Sequence, residues 1–265
     1  MRRTPSNPQR KSIFITGATA GIGKSTARLF ASKGWYVGLA ARDENKLAAL
    51  RNVLGERNCS VHVMDVADPE QVREQLAAFG QTANGRLNIL LNNAGVLNAG
   101  HFEDITLQHH HQMVDTNIKG VLNCTHFAFE LLKNTPRAQV INMSSASAMY
   151  GSPTLSTYSA SKFAVRALTE ALNVEWARHD ITVTDIMPPF VATDMLETSV
   201  RQKVKAISRL GVQLTPDEIA QTVWDAVENP KLHDRVTLSF KMLALMQKHA
   251  PEPFQRHVVK FLSGY

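Results

Sequence analysis

The sequence holds only two cysteines in 265 residues, Cys59 and Cys124. That excludes a disulfide framework and reads as two small packing residues in a reducing, cytoplasmic setting. No apolar run reaches the ~18–20 residues of a membrane-crossing helix. The first eleven residues are basic but lead into no separate apolar signal segment, so 1–11 reads as a flexible tail. A basic surplus is also missing where a nucleic-acid groove would need it. The formal charge is +6 overall, but residues 1–11 carry +4 and 231–265 another +4, which leaves −2 for 12–230. No nucleic-acid partner is expected from such a body. With 44% hydrophobic and 20% charged residues, what remains is an ordinary globular chain long enough for one large domain with a full core.

Lys11–Thr16 is a short β-branched and aromatic run that predicts a buried strand. The loop Gly17-Ala18-Thr19-Ala20-Gly21-Ile22-Gly23 follows, and then a helical pattern over 22–33. This order makes a nucleotide-binding entry. Gly17 permits the tight turn, Gly21 lets backbone approach a pyrophosphate, and Gly23 lets helix and strand pack closely. The spacing is G-x-x-x-G-x-G, not the general G-x-G-x-x-G. Further strands are predicted at 35–41, 61–66, 87–91, 140–145 and 181–186, with helices at 44–54, 69–79, 106–134 and 157–178. Such alternation predicts an α/β, doubly wound, predominantly parallel sheet with helices on both faces, in a single domain over 12–240. Gly17, Asp65, Asn92 and Ser145 all fall at the carboxyl ends of predicted strands, where ligands bind in such sheets.

Within the helix 157–178, Tyr158 and Lys162 stand four apart and so share a face. A cation that close is expected to lower the phenol from its ordinary ~10 towards working pH, making Tyr158 a general acid/base. At the end of the second strand Ala41 is neutral and Arg42 follows. An acid there would repel the 2′-phosphate of NADP, so NADP(H) is favoured, with NAD(H) the alternative. Asp43 is placed to cap the helix 44–54. His109-His110-His111 cannot share one metal, because consecutive helical residues point about 100° apart, so these read as a solvated face and no metal is expected.

Thr16-Gly17-x3-Gly21-Ile22-Gly23, Asp65, Asn92-Asn93-Ala94-Gly95, Asn117, Ser145 and Tyr158-x3-Lys162 occur here together and in this order. In these residues the chain resembles the single-domain short-chain dehydrogenase/reductase family over roughly 12–195. The resemblance implies an NAD(P)-dependent oxidoreductase interconverting a carbonyl and an alcohol, with catalytic residues Asn117, Ser145, Tyr158 and Lys162. Tyr158 would move the proton and Ser145 hold the substrate oxygen. Lys162 would lower the tyrosine pKa and bind the nicotinamide ribose, and Asn117 would anchor a water joining Lys162 to solvent. Gly17, Thr19, Ala20, Gly21, Ile22 and Gly23 would line the pyrophosphate, Asp65 and Val66 the adenine, and Asn92 to Gly95 the adenosine side. Pro188, Val191 and Thr193 would lie along the nicotinamide. A homodimer or homotetramer is also implied.

Two departures from the family pattern stand out. Pro188-Pro189 replaces the usual Pro-Gly, which removes an N–H and fixes φ beside the nicotinamide. In place of a glycine-rich end, 235–240 reads as a seventh strand and 241–265 as an apolar, basic helical extension. That extension reads first as a lid or packing element and second as a weak contact for anionic membrane surfaces. Substrate contacts are expected from Met149 and Tyr150, beside Ala146, from Leu97, beside Val96, and from Met195 and Leu196 within a lid over 195–215. No Arg or Lys stands among them to clamp an anion, so an apolar ketone, aldehyde or alcohol is expected. The rival readings are an NAD-dependent secondary-alcohol dehydrogenase and a non-catalytic NADP-binding sensor or scaffold.

Overall fold

The computed structural model describes residues 10–196, 200, 203–205, 207, 211, 214–237, 240–242, 245 and 250–265. Most of the expected tail and parts of the expected lid and extension lie outside these residues.

Seven strands form one sheet in the order β3-β2-β1-β4-β5-β6-β7. They are β1 Ser12–Thr16, β2 Tyr36–Ala41, β3 Cys59–Val63, β4 Ile89–Asn92, β5 Ala138–Met143, β6 Ile181–Met187 and β7 His233–Arg235. Every pairing is parallel. Parallel strands covered on both faces read as near-continuous apolar runs, and β1, β4 and β5 are buried at every position. Alternate side chains feed two cores. Ile13, Ile15, Leu39, Leu91 and Ile141 pack on one face. Phe14, Leu90, Val140 and Val183 pack on the other.

Helices α1 Gly21–Ser32, α2 Glu44–Leu54 and α7 Pro216–Glu228 cover the first face through residues such as Phe30, Leu47 and Ile219. On the second face, α3 Pro69–Thr82 and α5 Gly120–Lys133 supply Leu76, Phe79, Ala128 and Leu132, and α6 Ser156–Glu175 supplies Leu172. Local chemistry sets the helix starts. Asp43 accepts from the Lys46 N–H at 3.0 Å, as its position predicts. Asp68 caps α3 ahead of Pro69, and Thr215 with Glu218 forms a full capping box ahead of α7.

Three expectations are corrected. The single helix over 106–134 is α4 Leu107–Val114, a π-helical turn Asp115–Lys119, and then α5. The widened turn contains Asn117, whose side chain bonds sideways into the protein, and π turns of this kind recur at functional sites. The seventh strand is His233–Arg235 and not 235–240. Phe240 instead sits in a helical turn, buried against Ala148 and Met187. The histidine run is not a uniformly solvated face: His110 is buried, with Thr157 Oγ1 at 2.7 Å and the Phe102 carbonyl at 3.1 Å, while His109 and His111 are exposed.

After β7 the described chain ends in α8 Glu252–Ser263. It is tied back to the body by Tyr265 Oη to His101 Nδ1 at 3.0 Å and by Lys205 Nζ to the Gly264 carbonyl. No helix among the described residues is long and apolar enough to cross a membrane.

Candidate active site

A cavity of about 600 Å³ opens at the carboxyl ends of the strands. Strand order reverses between β1 and β4, and a crevice is required there because the chain leaves the two strands in opposite directions.

The glycine-loop wall is mostly backbone. Gly17 has φ +66°, and a Cβ on it would stand 3.0 Å from both the Ala94 Cα and Asn93 Nδ2. Gly21 has φ +47°, and a Cβ there would press on Thr193 Cγ2 at 3.0 Å. Gly23 does not line the cavity; a Cβ on it would collide with the Gly17 carbonyl and come within 2.6 Å of Asn93 Nδ2. The loop is pinned to the β4 end. Asn93 Nδ2 donates to the Thr16 and Gly17 carbonyls, while Thr16 Oγ1 accepts from the Asn93 and Ala94 N–H groups. Ala20 stands at the α1 N-cap with no capping side chain, and the first turn holds no acid. The helix therefore presents unpaired N–H groups and its positive end to the cavity, an arrangement that fits a pyrophosphate. Thr19, Ala20 and Ile22 line the same wall.

Beyond β2 the lining turns charged. Arg42 Nη1 lies 3.9 Å from Asp65 Oδ2, both side chains well exposed. Such a pair holds its partners loosely, which leaves the guanidinium free to turn to a phosphate. Lys46, one turn into α2, also faces the cavity and sits 3.6 Å from Asp43 Oδ2. Lys46 was not among the expected residues, although its spacing from Arg42, at i and i+4, was a readable signal. Asp65 and Val66 line this wall from just beyond β3, which ends earlier than expected, at Val63.

At the other end Ser145, Tyr158 and Lys162 come together. Tyr158 and Lys162 are both buried on one face of α6. Lys162 Nζ donates to the Met143 carbonyl at 2.8 Å and lies 5.7 Å from the Tyr158 ring centroid. Burial lowers the Lys162 ammonium to about 8, opposed by the carboxylate of Asp185. Burial raises the Tyr158 phenol above its ordinary value, offset in part by a hydrogen bond with Ser145. The expected lowering of the phenol is therefore corrected. The ammonium lies over the ring and bonds to a carbonyl, so desolvation outweighs its field.

Asn117 is fully buried and does not line the cavity. Its Oδ1 accepts from the Val96 N–H, and its Nδ2 donates to the Val96 carbonyl and to Ser161 Oγ. A Cβ on Gly95 would lie 3.3 Å from Asn117 Oδ1 and 3.8 Å from Lys162 Nζ, so the two are near neighbours. Asn92 also points away, donating to Thr125 Oγ1 and Asn142 Oδ1 inside the protein. Asn93, Ala94 and Gly95 do line the cavity, as do Pro188, Val191 and Thr193. Pro189 joins Pro188 in the wall, where the Pro188 carbonyl accepts from the Ala146 N–H.

Of the expected substrate residues, Leu97, Met195 and Leu196 line the cavity, and Met149 and Tyr150 do not. The chain makes a tight helical turn at Ala146–Ala148, which sends Met149 against Ala148, Met187 and Phe240. Leu155, Phe190 and Thr116 stand in the wall instead. They come from segments with no spacing signal.

The family description "short chain dehydrogenase" matches residues 11–204. The chain belongs to the short-chain dehydrogenase family. It is an NAD(P)-dependent oxidoreductase. It is 36% identical to a ketoacyl reductase assigned to the granaticin polyketide synthase of Streptomyces violaceoruber, covering 83% of this chain and 82% of that one. It is 29% identical to an uncharacterized oxidoreductase of Staphylococcus saprophyticus over 85% and 93% of the two chains. Among solved structures, a 3-ketoacyl-(acyl-carrier-protein) reductase from Brucella melitensis complexed with NADH superposes with a TM-score of 0.78 at 25% identity, covering 86% of this chain and 97% of that one. ElxO with NADP bound gives 0.76 at 26% identity, covering 85% and 96%.

Proposed function

We propose that this dehydrogenase is an NADP(H)-preferring carbonyl reductase for apolar ketones or aldehydes, with Tyr158 as the proton donor. The carrying observation is the wall around Tyr158. The tyrosine is packed with Leu155 and Leu196, and Val96, Leu97 and Phe190 complete the apolar surface. Among the described lining residues at this end, Lys162 is the one cation, and it is buried beneath the tyrosine. A substrate carboxylate or phosphate would find no partner there, whereas an apolar carbonyl compound would bury its surface.

The nicotinamide, when bound, supplies or accepts hydride at the substrate carbon. The protein's share is position and the proton. The Tyr158 hydroxyl donates a hydrogen bond to the substrate oxygen and releases its proton as negative charge develops there. Ser145 offers a second donor to that oxygen. A phenol kept protonated by burial is suited to this direction, since carbonyl reduction needs the acid form. Alcohol oxidation needs the phenolate, so its rate should climb with pH. Lys162 would hold the ribose hydroxyls of a bound cofactor, and Asn117 holds the Val96 segment beside it. Arg42, aided by Lys46, provides the cation for a 2′-phosphate, and relatives with NADP and with NADH bound are both known. A homodimer through α5 and α6 is the assembly proposed, with the partly exposed Leu122 and Phe163 on those helices.

The test is oxidation of NADPH and NADH by the purified chain against ketones and aldehydes graded by size and polarity. Turnover rising with apolar size, and faster with NADPH, is expected. Turnover confined to carboxylate-bearing or phosphorylated carbonyls would overturn the substrate class.

A further inference from the structure

Two polar stripes run down the first turns of α6, one residue out of step. Tyr158 and Lys162 form the stripe that faces the cavity. Thr157 and Ser161 form the other, and it faces the rod made by α4 and the π turn that continues it. Ser161 Oγ accepts from Asn117 Nδ2 at 3.1 Å and donates to the Tyr158 carbonyl at 2.7 Å. One turn earlier, Thr157 Oγ1 lies 2.7 Å from Nδ1 of His110. His110 and Asn117 stand seven residues apart, about two turns of that rod, so each meets one residue of the stripe.

His110 is buried, and both of its ring nitrogens are bonded. The Phe102 carbonyl, 3.1 Å from Nε2, can only accept, so Nε2 carries the ring proton. In the neutral ring Nδ1 then accepts from the Thr157 hydroxyl. The Phe102 ring packs against the imidazole, with 4.5 Å between centroids. An imidazole is planar and rigid, so it holds a fixed span between the Phe102 carbonyl and Thr157.

The start of α6 needs such a hold. Leu155, at its N-cap, supplies no side-chain cap. Thr154, just ahead, takes φ +63°, a conformation that strains a β-branched residue and persists only where the surroundings impose it. Its carbonyl accepts from the Gly100 N–H at 3.0 Å. Gly100 and Phe102 belong to the stretch that leads from the cavity-lining Val96 and Leu97 to α4. That stretch is therefore tied to the start of α6 twice, by Gly100 directly and by Phe102 through His110.

We propose that His110 is a positioning residue of this enzyme: through Thr157 it fixes the rotation of the first turn of α6, and so places the Tyr158 hydroxyl against the wall formed by Val96 and Leu97. Successive residues of a helix are set about 100° apart, so holding the Thr157–Ser161 stripe holds the Tyr158–Lys162 stripe as well. Asn117 anchors the second turn and His110 the first. With the first anchor gone, the uncapped start of α6 is free to swing about the second. The proposal rests on the reading of Tyr158 as the proton donor.

The test compares Thr157→Val, which keeps the shape and removes the hydroxyl, with His110→Phe, which keeps a buried ring and removes both nitrogens. Each should lower kcat for the fastest ketone by about ten- to a hundredfold, the cost of a misplacement of up to ~1 Å, and leave the Kd for NADPH within about threefold. H110F/T157V should be no slower than the slower single variant, because both remove the same bond. On a Y158F background, T157V should cost less than about twofold more, since no hydroxyl is left to misplace. A general structural defect would instead lower both backgrounds by the same factor. Wild-type kcat in T157V while Y158F is slow, an equal fall on both backgrounds, or multiplying losses in H110F/T157V would overturn the proposal. T157V decides alone if H110F does not fold. A second readout does not pass through turnover: with tyrosine labelled with carbon-13 at Cζ in the full chain, the resonance lost in Y158F should move in T157V, and an unmoved resonance would also overturn the proposal. If it moves in a chain whose Y158F variant reduces ketones at the normal rate, the anchor stands and the proton-donor reading falls.

Discussion

The two ends of the cavity are built from different materials. At the glycine-loop end, Gly17 and Gly21 take positive φ and the wall is backbone and helix N-terminus. At the Tyr158 end the wall is side chains: Leu97, Leu155, Phe190 and Leu196 around a buried phenol and ammonium. A backbone wall tolerates almost no substitution, because any added Cβ lands on atoms that cannot yield. A side-chain wall can be recut by a single residue with the fold intact. The first end suits a ligand shared across a whole family, and the second suits one that differs from member to member.

Tyr158→Phe should have the largest effect. Losing the proton donor is expected to lower kcat by about 10²–10⁴-fold, while fluorescence titration shows cofactor binding within about threefold of wild type. Near-normal turnover would remove the chemical distinction between the ends. Gly23→Ala tests the backbone end. Its Cβ would meet the Gly17 carbonyl and Asn93 Nδ2, and overpacking of roughly 1–3 kcal/mol should weaken cofactor binding about ten- to hundredfold by calorimetry. Arg42→Ala should raise the Kd for NADPH by about tenfold relative to NADH, the size of one charge-assisted hydrogen bond. An unchanged ratio would overturn the cofactor preference. Leu196→Ala sharpens the other end: kcat/KM for a bulky ketone should fall several-fold, about 1 kcal/mol, and that for a small ketone hardly at all.

The smallest kinetic effect belongs outside both ends. His62 on β3 is buried against Phe14 and Phe79, and burial lowers it to about 4 from 6.5. It is neutral in the folded protein between those values, whereas the unfolded chain takes up the proton. Its contribution is therefore intact above about 6.5 and is lost as pH falls towards 4, a change of roughly 3 kcal/mol. His62→Phe should flatten that part of the thermal-melt profile and leave kcat at neutral pH unchanged.

The same contrast explains what could be read from the amino acids. Gly17, Gly21 and Gly23 announce their roles because no other residue fits there, and Asp43 announces its cap because the helix start needs an acceptor. Strand–helix alternation predicts a parallel sheet covered on both faces, but not the order in which its strands lie. Met149 and Tyr150 were misplaced because the helical turn at Ala146–Ala148 leaves no trace in spacing. Leu155 and Phe190 could not be found, since any apolar residue could occupy a wall defined only in three dimensions. The raised phenol of Tyr158 was hidden for a related reason: an i, i+4 pair tells which residues meet, not whether water has left. His110 shows the same blindness in the polar direction, its burial being set by Thr157, distant in the chain, and by the Phe102 carbonyl of the preceding turn.

The three tryptophans divide between the two layers of the fold. Trp35 and Trp224 meet edge to face at 6.1 Å, and Phe30 of α1 packs on both, on the face covered by α1 and α7. Trp176 packs on Phe129 across the sheet. The protein thus carries an optical probe in each layer. A W176F variant would glow only from the layer that seats the glycine loop, and a W35F/W224F variant only from the layer beneath Tyr158. Comparing their emission during unfolding would reveal whether the two layers come apart together or in turn.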